Sequence, residues 1–438
     1  MQLPALADDG GLLRLTTVGS VDDGKSTLIG RLLYDANAVP RDRVEALEQI
    51  AFRQGDSEID LSLLMDGLSA EREQGITIDV AYSYFATRRR KFVIADTPGH
   101  QQYTRNMVTG ASTADAAVLL VDASRGATLQ TRRHLFLSHL LGVPHLIVAV
   151  NKMDLVGFGQ VEFGRVADSV LGIAKAIGAR EPHLVAICAK HGDNVVHKSE
   201  RMPWYHGPPL LRLLESLPVA RVASDAPFRF PVQLVRRVAA ARGGWIRQIL
   251  GRIESGRAAI GDCVLVMPSG IATSIARITT FDGPLNVAAA PKSVSIELKD
   301  DIDIARGNML AAVSSPPSVT DRVTARICWF CDRPFTGRGR FLVHSGTRRV
   351  AARITAVVDR LDLTTMQSAI CPAVLHRNDI ATIELCLASP LAIDPYEENR
   401  ATGAFIIIDQ DDNATVAAGM FAPLAQSRAP SYVTDGMA

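Results

Sequence analysis

GSVDDGKS, residues 19–26, decides the reading of this chain: it fits the pattern G-x-x-x-x-G-K-[ST]. An apolar run at 12–18 precedes it and predicts a strand, and the helical spacing over 26–34 follows it. In a strand-loop-helix unit of this kind, Gly19 and Gly24 allow a tight loop whose backbone N–H groups turn inward, while the helix start adds partial positive charge. Such a loop cradles phosphates. Lys25 is placed to neutralise β- and γ-phosphate charge, and the Ser26 hydroxyl to coordinate Mg2+, a cation that prefers oxygen ligands.

Four further boxes follow in the order that a GTP-binding domain needs: GITID at 75–79, DTPGH at 96–100, NKMD at 151–154 and CAK at 188–190. DTPGH closes a predicted strand at 91–96. There Asp96 would hold Mg2+ through water, and Gly99 can bring its amide up to a γ-phosphate because no side chain intervenes. His100 falls where an attacking water must lie, and the Thr77 hydroxyl is the candidate second metal ligand. NKMD follows the predicted strand 145–150. Its Asp154 carboxylate can accept from guanine N1–H and the 2-amino group together, which adenine cannot offer. Asn151 is expected to tie this loop to the phosphate loop, and the Lys152 stem to cover the base. Ser20, Val21, Asp22, Asp23, Thr27, Thr97, Pro98, Met153, Cys188, Ala189 and Lys190 complete the boxes and are read as nucleotide contacts.

The chain has 438 residues, 47% of them hydrophobic, enough for several cores and two to four domains. A net charge of +1 makes no case for bulk nucleic-acid binding, and the run 88–91 reads as the solvated tip of a hairpin. No apolar stretch approaches the ~20 residues of a spanning helix, and the first residues lack the features of a signal peptide, so the cytoplasm is expected. Six cysteines suit free thiols. Cys328 and Cys331 form a C-x-x-C, but no second such pair completes a zinc site and 324–330 reads as strand. Arg236 with Arg237, and Arg338 with Arg340, read as exposed charges.

Residues 1–218 alternate strand-like runs (116–122, 145–150, 183–188) with helical spacing (129–141, 163–178, 208–217), predicting a doubly wound, mostly parallel α/β P-loop domain. Two sets of short β-branched runs follow, at 225–314 and 318–422, and predict two all-β barrels; 423–438 reads as a frayed tail.

This plan, with its GSVDDGKST, GITID and DTPGH strings, resembles the elongation factor Tu class of translational GTPases. The longer strings GSVDDGKSTLIGRLLYD (19–35), DGLSAEREQGITIDVAYSYF (66–85), ADTPGHQQYTRNMVTGAS (95–112), GDNVV (192–196) and SERMPWYHGPPLL (199–211) resemble the large, GTPase subunit family of bacterial ATP sulfurylase. The resemblance runs from about Leu13 to Gly419. It implies GTP and Mg2+ as cofactors and a separate small catalytic subunit that joins sulfate to ATP, giving adenosine 5′-phosphosulfate and pyrophosphate in sulfate assimilation. It also implies that Val21 and Ile76 flank His100 as an apolar gate. Gln101 stands where the family usually has Glu, and Cys188 where it usually has Ser; the Ala189 amide is still expected to read guanine O6. Some relatives carry a fused adenylylsulfate kinase, but there is no second phosphate-loop pattern here, so kinase activity is not expected.

A carrier of aminoacyl-tRNA would share the nucleotide site and the three-domain plan. Against it stand the near-neutral charge, the 66–85 and 199–211 strings, and Ser20 with Asp23 in place of the histidines of elongation factor Tu.

Overall fold

Six apolar runs become the strands of one sheet: β1 (Leu12–Val18), β2 (Ala81–Ala86), β3 (Lys91–Asp96), β4 (Ala116–Asp122), β5 (His145–Asn151) and β6 (His183–Ala186). The computed structural model describes residues 11–54, 59–64, 79–218, 225–239, 245–370 and 374–423. The strand order is β2-β3-β1-β4-β5-β6, parallel throughout except for the antiparallel edge pair β2–β3. Every residue of β4 is buried, as expected of a parallel strand covered by helices on both faces. Helix α1 (Lys25–Asp35) packs Leu28, Ile29 and Leu32 onto Leu13, Leu15, Phe92 and Ile94. Helices Thr104–Ser112, Leu129–Leu140, Gln160–Ala176 and Leu210–Ser216 complete the covering layers.

The chain runs from β1 to one side of the sheet and then crosses to the other, so a crevice opens at the carboxyl end of β1. Open α/β sheets bind ligands at such a reversal.

Helix α2 (Arg41–Gln54) was not expected from the sequence. It is rich in charge, and only a thin stripe, including Leu47 and Ala51, is buried; Leu47 meets Leu61 and Leu64. The hairpin tip at 88–91 also departs from expectation. Arg90 is 8% exposed, and its guanidinium donates to the Leu214 and Leu217 carbonyls at 3.0 and 2.7 Å. Carbonyls at the end of a helix lack intrahelical partners, so a buried arginine is a suitable donor for them.

The chain divides into two compact units, Met1–Val219 with Leu363–Met366, and Ala220–Asp362 with Gln367–Ala438. The second unit contains two rings of six antiparallel strands. In the first, Cys263–Met267 pairs with both Ile271–Thr280 and Met309–Ala312, which closes the barrel. In the second, Phe341–Ser345 closes the ring between Arg348–Asp362 and Ala404–Asp409. Among the described residues, closure leaves no open sheet edge in either ring. Phe230, Val232, Ile249 and Ile296 fill the first interior; Trp329, Phe335, Phe341 and Phe405 fill the second. Cys328 lies buried in strand Ser318–Trp329 and is unbridged, as is Cys331. Among the described residues, no helix is long and apolar enough to cross a membrane.

Within this unit, Arg229 from the first ring grips Asp394 at the end of a second-ring strand through two bonds of 2.9 and 2.8 Å. Both side chains are buried, and Thr402 Oγ1 also donates to Asp394. Removing one partner of such a pair strands the other charge in a dry environment. Arg229→Met is therefore expected to lower stability by about 3–5 kcal/mol, and Arg229→Met with Asp394→Leu to recover most of the loss. Urea unfolding in a Trp204→Phe background, with buried Trp329 as reporter, reads both values.

Candidate nucleotide site

Four of the sequence boxes lie at or just beyond the carboxyl end of a parallel strand: 19–26 after β1, 96–100 at β3, 151–154 at β5 and 188–190 past β6. In-register pairing sets Thr17 beside Asp96 and Asp122 beside Asn151. Two cavities open there. One, of about 650 Å³, is lined by Gly24, Thr27, Asn151, Lys152, Asp154, Cys188 and other residues. The other, of about 300 Å³, is lined by Val21, Asp22, Lys25, Ser26, Gly99 and His100 among others. Gly24, Thr27 and Lys152 line both.

The smaller cavity meets the start of α1. Gly24 caps that helix at φ +92, in the left-handed region, and a Cβ there would fall 2.5 Å from Asn151 Nδ2. The first intrahelical bond runs from Leu28 N–H to the Gly24 carbonyl, so the amides of Lys25, Ser26 and Thr27 precede the ladder. Lys25 is 7% exposed and donates to the Gly19 and Ser20 carbonyls at 3.1 and 2.8 Å. Burial pulls its ammonium below the ordinary lysine range, and Asp96, Asp23 and Asp22 oppose that pull. Burial likewise raises the Asp23 carboxyl, although its Oδ2 accepts the Ser20 amide at 2.7 Å. Asp96 accepts from Thr17 Oγ1 at 2.8 Å. Ser26 and Asp96 offer oxygen donors only, a set that suits Mg2+. Thr77 and Ile76 lie outside the described residues.

The loop after β3 crowds the phosphate loop. A Cβ on Gly99 would stand 2.5 Å from Lys25 Nζ and 2.6 Å from the Gly19 carbonyl, so the approach requires glycine. Half-buried His100 accepts the Gln102 amide on Nδ1 at 3.3 Å, which leaves the proton of a neutral ring on Nε2. Thr97 donates to the Thr17 carbonyl at 2.6 Å and fastens the loop to β1.

On the other side, Asn151 donates from Nδ2 to the Asp23 carbonyl at 2.8 Å, the tie between loops expected from sequence. Its Oδ1 accepts the Ala189 amide at 2.9 Å. That amide, which the sequence reading gave to guanine O6, is therefore held by Asn151 in this arrangement. Lys152, at φ +61, reaches Asp122 at 2.9 Å. Burial disfavours the Asp122 carboxylate, but the Ser124 and Lys152 donors outweigh it and hold its pKa below the usual range. Cys188 Sγ donates to Asp154 at 3.1 Å; burial, then this bond, pushes the thiol up to about 12.

Three positions were not picked out from sequence. Asp122 carries no box, yet it holds Lys152. Gln130 Nε2 reaches the Gly99 carbonyl at 3.4 Å and His134 Nε2 at 2.8 Å; burial, then Lys25 and Arg133, lowers the His134 pKa to about 3. Arg31, on α1, donates to the carbonyls of Ala189 and Lys190 and pairs with Asp35 at 3.4 Å. Partners 158 and 159 positions apart leave no local pattern to read.

The profile of the elongation factor Tu GTP binding domain matches residues 11–234, and that of the GTP-eEF1A C-terminal domain-like family matches 322–422. Sulfate adenylyltransferase subunit 1 of Francisella tularensis subsp. novicida is 47% identical over 428 residues, 97% of this chain and 90% of that protein. The subunit 1 of Laribacter hongkongensis is 48% identical over 413 residues, 93% of this chain and 85% of that protein. The chain belongs to the sulfate adenylyltransferase subunit 1 family. The bifunctional enzyme CysN/CysC of Mycobacterium tuberculosis is 48% identical over 421 residues, 96% of this chain and 69% of that longer protein.

In this member of the subunit 1 family, a GTP-binding domain of the elongation factor Tu type carries the two cavities. Arg31 there fixes two carbonyls of the 188–190 loop from the helix that follows the phosphate loop. Arg31→Met is expected to weaken GTP and GDP binding about tenfold, the worth of one or two charge-assisted hydrogen bonds. Fluorescent-nucleotide titration reads the loss, and it should shrink for an analogue that lacks the 6-oxo group.

Proposed function

We propose that this chain is the GTP-hydrolysing subunit of a sulfate adenylyltransferase. The observation that carries the reading is the junction of two cavities: one with Asp154 in its wall, the other floored by Lys25 and the uncapped start of α1. A guanine base suits the first and a triphosphate the second. The name borne by the Francisella and Laribacter relatives supports the sulfate half of the reading, and "subunit 1" implies a partner.

In this reading Gly19 to Thr27 present amides and Lys25 to the phosphates. Ser26, Thr77 and Asp96 would hold Mg2+, which when bound would neutralise charge on the β- and γ-phosphates. Asp154 accepts from guanine N1–H and the 2-amino group, the Lys152 stem covers one face of the base, and the 188–190 loop lies against its 6-oxo edge once Asn151 shares the Ala189 amide. Gly99 meets the γ-phosphate, so its loss releases the 96–100 loop. His100 orients the attacking water, with Val21 and Ile76 as an apolar gate that opens only in the complex.

The partner is a small catalytic subunit that forms adenosine 5′-phosphosulfate and pyrophosphate from ATP and sulfate, in the cytoplasm, as part of sulfate assimilation. Sulfate is a weak nucleophile and its mixed anhydride with phosphate lies uphill. GTP cleavage can drive that step only if the partner binds the two states of the 96–100 loop with different affinity.

Two outcomes check this. His100→Ala abolishes partner-stimulated GTP hydrolysis and leaves GTP affinity within a few-fold; loss of binding along with turnover would make His100 structural. Tagged chain recovers a small subunit, and the pair releases pyrophosphate from ATP and sulfate faster with GTP. Recovery of tRNA in place of a small subunit would contradict the reading.

A further inference from the structure

The wall of the larger cavity sets two side chains that guanine recognition does not account for, Cys188 and His191, beside the carboxylate that it does, Asp154. Asp154 projects from the turn after β5, and Cys188 and His191 from the loop after β6. A carboxylate oxygen, the thiol sulfur and an imidazole nitrogen lie within 4.8 Å of one another, and all three residues line the cavity. Cys188 Sγ is already 3.1 Å from Asp154 Oδ1.

We propose that Asp154, Cys188 and His191 form a binding site for a thiophilic divalent cation of the zinc or cadmium class, and that this cation and guanine exclude one another. The exclusion rests on the guanine reading given above; the cation site itself does not.

Bond lengths to zinc of about 2.0–2.3 Å place neighbouring ligand atoms of a tetrahedral site roughly 3.5 Å apart. The sulfur and carboxylate are close to that spacing. The third ligand, His191, is partly buried at the cavity wall and has a ring nitrogen within 4.8 Å of both the sulfur and the carboxylate oxygen. The backbone around the set is fixed: the Cys188 amide bonds to the Asp193 carbonyl at 3.1 Å, the Gly192 amide to the Cys188 carbonyl at 2.8 Å, and the Met153 amide to the Ile187 carbonyl at 3.4 Å. Three protein ligands with the fourth position facing a cavity is the form of an open zinc site.

The donor types separate this site from the one for Mg2+. Sulfur, imidazole and one carboxylate select soft or borderline ions, whereas the hydroxyl and carboxylate oxygens beside Lys25 suit a hard one. Binding replaces the S–H bond by a sulfur–metal bond, and the proton passes to solvent. The Asp154 charge that opposes a bare thiolate then becomes a co-ligand, because the divalent ion inverts the local electrostatics. A carboxylate engaged in this way cannot also accept from guanine N1–H and the 2-amino group.

Nucleotide-free full-length protein titrated with Cd2+ tests this through the ultraviolet thiolate-to-cadmium charge-transfer band. The expected result is a band that saturates at one equivalent, is absent in Cys188→Ser, is at least tenfold weaker in affinity in His191→Ala, and is suppressed by excess GDP. A band that survives in Cys188→Ser, and so arises from one of the five other cysteines, overturns the site. No band in the wild type also overturns it. A band confined to Cys188 but indifferent to GDP overturns the exclusion alone, provided that fluorescent GDP binds the cadmium-free protein; failure of that control tells against the guanine reading and leaves the cation site standing.

Discussion

Asn151, 2% exposed at the end of β5, uses both ends of its carboxamide on other loops: Nδ2 on the Asp23 carbonyl and Oδ1 on the Ala189 amide. One side chain thereby joins three segments that are far apart in sequence. Gly24 can adopt its left-handed turn against Asn151 only because it lacks a Cβ. With the phosphate loop and the 188–190 loop fastened to one strand end, the two cavities keep a fixed separation, as a ligand with a rigid base and a charged tail requires. Arg31 acts on the same loop from the opposite side by taking the Ala189 and Lys190 carbonyls.

The electrostatics around this frame are poised for an anion. Lys25 is buried, destabilised by that burial, and surrounded by Asp22, Asp23 and Asp96. Its ammonium now satisfies itself on the Gly19 and Ser20 carbonyls. Phosphate oxygens offer a stronger acceptor at the same spot, where low dielectric magnifies the attraction. Gly99 stands against both Lys25 and Gly19, so a change at the phosphate end is felt by the loop that carries His100.

Much of this was legible in the sequence because the signals are local. Glycines at 19 and 24, a lysine and a hydroxyl in fixed spacing, and apolar runs of strand length need no tertiary information to be read, and strands β1 and β3 match the runs at 12–18 and 91–96. The less legible parts depend on distant partners. Arg90 looked like one of several charges in a hairpin tip; its burial follows from helix-end carbonyls more than a hundred residues away. Helix α2 hid behind its charges because it buries so little. The Ala189 amide showed the reverse problem: it has the residue type and place expected, but Asn151 already accepts from it.

The central claim is that separate loops converge on one guanine nucleotide, and calorimetric titration of the full chain tests it directly. With Mg2+ present, the account predicts saturation by GDP at one equivalent and no measurable heat from ADP over the same concentration range. Equal uptake of ADP, or no saturable uptake of GDP, would contradict it.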